Sequence, residues 1–119
     1  EDKKFLLTKA ESGRWDLPGG GLDWGEDPQA GVAREIQEEM GIATTFVAKN
    51  PSYFVATRTE GGRYEWINNI IYIAKLQHLN FTPSDECLEI QFFSIEEAIG
   101  VPTFSNVKQF IKLYDASNH

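Results

Sequence analysis

Gly20-Gly21-Leu22-Asp23-Trp24-Gly25-Glu26-Asp27-Pro28-Gln29-Ala30-Gly31-Val32-Ala33-Arg34-Glu35-Ile36-Gln37-Glu38-Glu39-Met40-Gly41-Ile42 is the stretch whose reading decides the fold. Asp27-Pro28 is a strong helix start, with Asp as N-cap and Pro at the first helical position. Gly41 suits a left-handed C-terminal cap, so the spacing predicts a helix over residues 28–40. At about 100° per residue, Glu35, Glu38 and Glu39 share one arc of roughly 100°. Val32, Ala33, Ile36 and Met40 form a separate apolar stripe suited to packing on a sheet. The acidic arc is costly as decoration. Glu35–Glu38 and Glu35–Glu39 are like-charge pairs, each costing about 0.2–0.5 kcal/mol. Gly31 in mid-helix costs roughly 1 kcal/mol against Ala and leaves space over that face. Arg34 is the only cation on the helix. Hard carboxylate oxygens gathered this way suit Mg²⁺, or Mn²⁺ in its place. The rival reading is a solvated acidic face with no ligand.

Outward from this helix the chain alternates strand-like and turn-like segments. Residues 3–9 read as a strand, Glu11-Ser12-Gly13 as a turn, and residues 14–17 as a short extended piece before Pro18-Gly19-Gly20-Gly21. Residues 44–58 and 64–79 are rich in Thr, Val, Ile and aromatics, and Glu60-Gly61-Gly62 lies between them, so a long β-hairpin is expected. Residues 81–86 read as a loop and residues 88–93 as a further strand. Ser94 caps a short helix through Ile99, Val101-Pro102 interrupts, and Thr103 or Ser105 caps a final helix to about residue 115. Sheet with helices packed on it, α/β or α+β, is the expectation. No repeat, low-complexity tract or linker breaks the 119 residues, so a single domain over 1–119 is expected. The chain opens without Met, and its N-terminal strand is read as open to truncation.

Eleven Lys and Arg stand against 18 Asp and Glu, a formal charge of −7. That argues against gripping a nucleic-acid polymer, which takes clustered cations. Small anionic ligands stay admissible if a metal cation mediates. Cys87 is the lone cysteine, so no intrachain disulfide is expected; a reducing, cytoplasmic setting is the simplest reading. The longest apolar run is strand-sized, far short of the roughly 18 residues of a membrane span, so no membrane partner is expected. Trp15, Trp24 and Trp66 are weighed as nucleobase platforms against ordinary packing. His78 and His119 show no ligand spacing.

From Gly20 to Ile42 the sequence resembles the Nudix box, G-x5-E-x7-R-E-U-x-E-E-x-G-U with U aliphatic, at all nine defined positions. Trp15-Asp16-Leu17-Pro18-Gly19-Gly20-Gly21 is similar to its usual lead-in. The compact length resembles the MutT-like members. The resemblance implies a Nudix-type α/β/α sandwich with a mixed β-sheet between helices. It also implies a Mg²⁺-dependent pyrophosphohydrolase in which water attacks phosphorus and a P–O–P bond of a nucleotide or nucleoside diphosphate derivative breaks. By resemblance Glu35, Glu38, Glu39 and the carbonyl of Gly20 are the metal ligands. Glu35 or Glu38 serves as general base, and Arg34 orients the glutamates. Glu26 sits near the metals or acts as a helix-start anion. Ser84-Asp85-Glu86, ahead of Phe92-Phe93, resembles the family's late E-x5-W-F element with Phe92 replacing the tryptophan; Asp85 and Glu86 are further candidates for metal or substrate. Lys9 is a candidate phosphate contact, and Arg14 and Arg58 are weaker ones. The expected partner is a small nucleotide, and a homodimer is compatible with the family. The rival readings are a catalytically silent Nudix-fold nucleotide sensor, which would usually have lost box glutamates, and an acidic interaction domain.

Overall fold

The computed structural model describes residues 4–20, 23–58 and 66–118. Its elements are β1 (Phe5–Lys9), β2 (Trp15–Asp16), α1 (Pro28–Met40), β3 (Thr44–Val47), β4 (Tyr53–Arg58), β5 (Trp66–Ile71), β6 (Ala74–Leu76), β7 (Glu89–Phe93), α2 (Ile95–Ile99) and α3 (Ser105–Leu113), followed by a 3-10 turn, Ala116–Asn118. The expected helix over residues 28–40 is met at both ends. Asp27 accepts the Ala30 N–H at 2.8 Å, and Gly41 takes φ 67° and donates to the Gln37 carbonyl. Only a residue without Cβ enters that left-handed turn cheaply.

Strand β1 lies between β2 and β7 in one antiparallel sheet. Alternation along β1 sends its side chains to two cores. Phe5 and Leu7 join Trp15, Phe93, Val107 and Phe110 on one face, under α2 and α3. Leu6 joins Ile36, Met40, Ile42, Cys87 and Ile90 on the other face, under α1. The sheet is therefore sandwiched between helices, an α+β arrangement in which the apolar stripe of α1 packs where its periodicity predicts. Among the described strands all pairings are antiparallel, with one isolated parallel bridge between Trp15 and Thr103.

The long hairpin forms in two pieces. β4 pairs with β5, and β3 with β6, as separate two-stranded sheets. Pro51 has no N–H for the ladder and splits the first arm. Ala48 and Ser52 keep the arms in step by donating to the carbonyls of Ile73 and Ile71, each at 2.8 Å. The turn read at Glu60-Gly61-Gly62, the start of the arm at Tyr64, residue 3 of the first strand and His119 lie outside the described residues. The final helix also differs from expectation. Its N-cap is Phe104, with no side-chain cap bond, because Thr103 is buried in the bridge to Trp15 and Ser105 is already helical. The short helix before it has the full capping box, Ser94 with Glu97. Among the described residues no helix is long and apolar enough to cross a membrane.

Candidate active site

The C-terminal half of α1 is held from two sides. On one side the chain of residues 17–20 crosses it, with Gly19 at φ 126°. The Gly19 N–H donates to Glu39 Oε1 at 2.8 Å. Gly20 lies against Glu35 so closely that a Cβ there would sit 2.6 Å from the Glu35 Cδ. On the other side the segment after β6 satisfies carbonyls that the helix end leaves open. The Thr82 N–H donates to the Met40 carbonyl at 2.7 Å, and Ser84 Oγ donates to the Glu39 carbonyl at 2.8 Å. Ser84 and Cys87 then bridge each other across a tight turn. Asp85 and Glu86, at the tip of that turn, are thereby presented to Glu39.

The result is a cleft of about 370 Å³ whose wall includes Glu11, Asp16, Gly19, Glu39, Asp85 and Glu86. Glu39 is only 6% exposed. Burial, and then the negative charges of Glu86, Glu35 and Asp16, push its carboxyl up to about 7, although the Gly19 N–H pulls the other way. Among the described residues lining this cleft there is no Lys or Arg. A buried carboxylate opposed by three others makes this cleft a place of negative potential.

The other box glutamates are arranged differently. Arg34 grips Glu26 through two bonds, Nε to Oε2 at 2.8 Å and Nη2 to Oε1 at 2.9 Å, and its Nη1 reaches both Glu35 Oε1 and Glu38 Oε2 at 2.7 Å. These contacts hold the Glu26 carboxyl below its usual range, helped by the Asp23 N–H, and raise the Arg34 pKa further. The helical wheel treats Glu35, Glu38 and Glu39 as one patch. The structure divides them, with Glu35 and Glu38 on Arg34 and Glu39 under the Gly19 turn. Among the described residues no three His, Cys, Asp or Glu side chains close around a single point.

The structure thus places Glu26, Arg34, Glu35 and Glu38 in one network and Glu39, Asp85 and Glu86 in the adjoining cleft, with Gly20 against Glu35. Lys9 is not part of that cleft wall; its Nζ lies over the Trp15 ring, 5.9 Å from the centroid. Trp15 packs edge-to-face on Phe93 in the core, so its role is structural, while Trp24 and Trp66 are exposed. Sequence reasoning overlooked Asp16 and Glu11. Asp16 carried a signal, since it sits inside the lead-in motif before the glycines. Glu11 reads as a plain turn residue, and only the pairing of β1 with β2 turns it toward the helix.

A profile of the NUDIX domain matches residues 1–114. A MutT-like protein of Streptomyces ambofaciens is 51% identical over 43 residues, 35% of this chain and 28% of that protein. The uncharacterized Nudix hydrolase YvcI of Bacillus subtilis (strain 168) is 27% identical over 111 residues, 71% of this chain and 68% of its own length. In three dimensions the MutT protein from Methanosarcina mazei Go1 matches with a TM-score of 0.77 at 26% identity, covering 97% of this chain and 85% of that one. UDP-X diphosphatase shares the fold at a TM-score of 0.70 and 23% identity, over 99% of this chain and 58% of its own. The chain thus spans about a quarter of the Streptomyces protein and less than two thirds of the UDP-X diphosphatase chain. With the box intact at its nine positions, the sandwich in place and the profile match running almost end to end, the chain belongs to the NUDIX domain family.

Proposed function

We propose that the chain is a Mg²⁺-dependent pyrophosphohydrolase, with Mn²⁺ able to substitute, acting on a nucleotide or nucleoside diphosphate derivative. The observation that carries this reading is the buried Glu39 in a cleft lined by carboxylates with no cation among its described lining residues. A pyrophosphate is anionic and so is this cleft; the two meet only through bound divalent cations.

The residues fit such cations. The donors are all hard oxygens, as Mg²⁺ prefers. The bare Gly20 backbone rests on Glu35 where any side chain would collide with it. Glu35, Glu38, Glu39 and the Gly20 carbonyl would hold the ions, with Asp85 and Glu86, which line the cleft beside Glu39, as further carboxylates for metal or substrate. Bound there, the ions supply Lewis-acid polarisation of phosphoryl oxygens and a more acidic water. The protein does the rest. Arg34 orients Glu35 and Glu38, and one of these two takes the proton of the attacking water. The Gly19 N–H fixes Glu39. A new P–O bond forms to the water oxygen, the bridging P–O bond breaks, and its electron pair leaves with the departing phosphate.

The test is a panel of nucleoside triphosphates, nucleotide sugars, ADP-ribose and dinucleoside polyphosphates with Mg²⁺ or EDTA, with product identification. The expected result is cleavage at a P–O–P bond, abolished by EDTA. Calorimetry should show Mn²⁺ binding that weakens about tenfold in Gly20→Ala. A folded protein that binds no Mn²⁺ in the millimolar range and cleaves nothing overturns the reading.

A further inference from the structure

A second cavity, also about 370 Å³, opens on the other side of the wall formed by Asp16 and Phe104, two residues it shares with the carboxylate cleft. Its lining reverses the charge. Arg14, just before β2, and Arg58, at the end of β4, converge on it beside Thr57 and Asn106, and among the described lining residues Asp16 is the one acid. In a chain of net charge −7 this pairing of two guanidinium groups stands out.

The wall between the cavities is fixed. Trp15 donates to the Pro102 carbonyl at 2.9 Å and Phe104 donates to the Trp15 carbonyl at 3.1 Å. Asp16 Oδ1 accepts from both the Leu17 N–H at 2.8 Å and the Asn106 side-chain amide at 3.0 Å. The Arg14 guanidinium lies over the Phe104 ring, 5.6 Å from its centroid. That cation covers a ring face a nucleobase would need for stacking. The chemistry gathered at the cavity is instead that of two guanidinium groups, whose planar fork of several N–H donors matches phosphate oxygens.

We infer that the Arg14–Arg58 cavity binds a phosphate additional to the diphosphate that is cleaved, and so selects substrates carrying one. This rests on reading the neighbouring cleft as the hydrolytic site. The additional phosphate could be the end of a triphosphate chain or a phosphate on a sugar; the chemistry recognised is the same.

Binding is measured first, in EDTA, with inorganic tripolyphosphate and with ribose 5-phosphate as separate arms, following the backbone amide of Thr57 and the side-chain amide of Asn106 by NMR. Both signals should shift in at least one arm, and the arm that binds more tightly names the source. Affinity should fall about tenfold or more in Arg14→Ala and Arg58→Ala, and partly recover in Arg14→Lys and Arg58→Lys, which keep the charge but lose the fork. Lys49→Ala, an equal charge change in the loop between β3 and β4, should leave it unchanged. In hydrolysis, the kcat/KM ratio of a nucleoside triphosphate, or of a sugar-phosphorylated nucleotide if that arm binds, over a nucleotide sugar without the extra phosphate should fall about tenfold in the arginine variants, chiefly through KM. Equal binding by wild type and both alanine variants, or an unchanged ratio, overturns the inference and leaves the hydrolase reading standing. Arginine-dependent binding by a protein that hydrolyses nothing leaves the inference standing and removes the hydrolase reading.

Discussion

Glu38 and Glu39 are neighbours in sequence and opposites in setting. Glu38 has a side chain 57% exposed and bonded to Arg34, within a network in which one guanidinium serves Glu26, Glu35 and Glu38. Glu39 is buried and faces Asp16 and Glu86. The first region shares one internal cation among its three carboxylates. The second is left negative, and its carboxyl is pushed up to about 7. Two acidic regions on one helix therefore start from different states: Glu35 and Glu38 are already oriented by a shared guanidinium, while Glu39 is buried beside other acids, and both keep negative charge for an external cation.

The contrast is broken most directly at Glu39. Glu39→Gln keeps the shape and the bond from Gly19 but removes the buried charge. Turnover should fall roughly 100-fold or more, the scale at which loss of a preorganised electrostatic group registers. In EDTA at pH 8 the same variant should melt a few degrees higher than wild type, because an uncompensated buried charge has gone. A tenfold or smaller loss of turnover, with Mn²⁺ affinity unchanged, would remove Glu39 from the metal site. Next in size is Arg34→Ala, which leaves three carboxylates without their shared donor. Activity should drop roughly 10–100-fold, as when a ligand's orienting partner is lost. Unlike Glu39→Gln, this variant should melt lower, not higher, in EDTA; a rise would mean that the two regions are not distinct.

Much of this was legible in the sequence, for a physical reason. Caps and helical periodicity are local, so Asp27-Pro28 and Gly41 delimit α1 without reference to the rest of the chain. The box gaps are fixed because one helix and one glycine turn supply them. The less legible features depend on distant contacts. The division of Glu35 and Glu38 from Glu39 depends on where residues 17–20 cross the helix and where Ser84 docks on its end. The break in the long hairpin was signalled by Pro51, although the ladder resumes beyond it. The cap at Phe104 could not be read from local preference, because Thr103 is drawn into a bridge with Trp15. Glu11 joins the cleft through strand pairing alone.

A smaller effect sharpens the contrast through pH. The folded-state carboxyl of Glu39 is raised from 4.5 to about 7. Below about pH 4.5 it is protonated whether the chain is folded or not, and its protonated form is compatible with burial. Between there and pH 7 the unfolded chain releases the proton while the folded chain retains it, so stability falls as pH rises. Wild type in EDTA should therefore lose melting temperature across this window relative to Glu39→Gln, and saturating Mg²⁺ should reduce the difference. Parallel profiles for the two proteins in EDTA would show that the Glu39 charge is already compensated.

The smallest expected effect lies at Cys87, which is fully buried at the base of the turn presenting Asp85 and Glu86. Burial first, and then the charge of Glu39, push its thiol up to about 11, with the Glu89 carbonyl as its hydrogen-bond acceptor at 3.7 Å. Only the thiolate is alkylated, so native Cys87 should react slowly at pH 8 and much faster once unfolded. Removing the Glu39 charge takes away the secondary cause and leaves burial in place. Glu39→Gln should thus speed iodoacetamide labelling of native Cys87 at pH 9 measurably but less than tenfold, with labelling of Cys87 in Arg34→Gln serving as the comparison from the arginine-paired region. The sign matters more than the size: Glu39→Gln stabilises the metal-free fold, so opening by unfolding would slow the reaction, whereas loss of a repelling charge quickens it. A slower reaction would place the control of Cys87 in unfolding and not in the field of the carboxylate cleft.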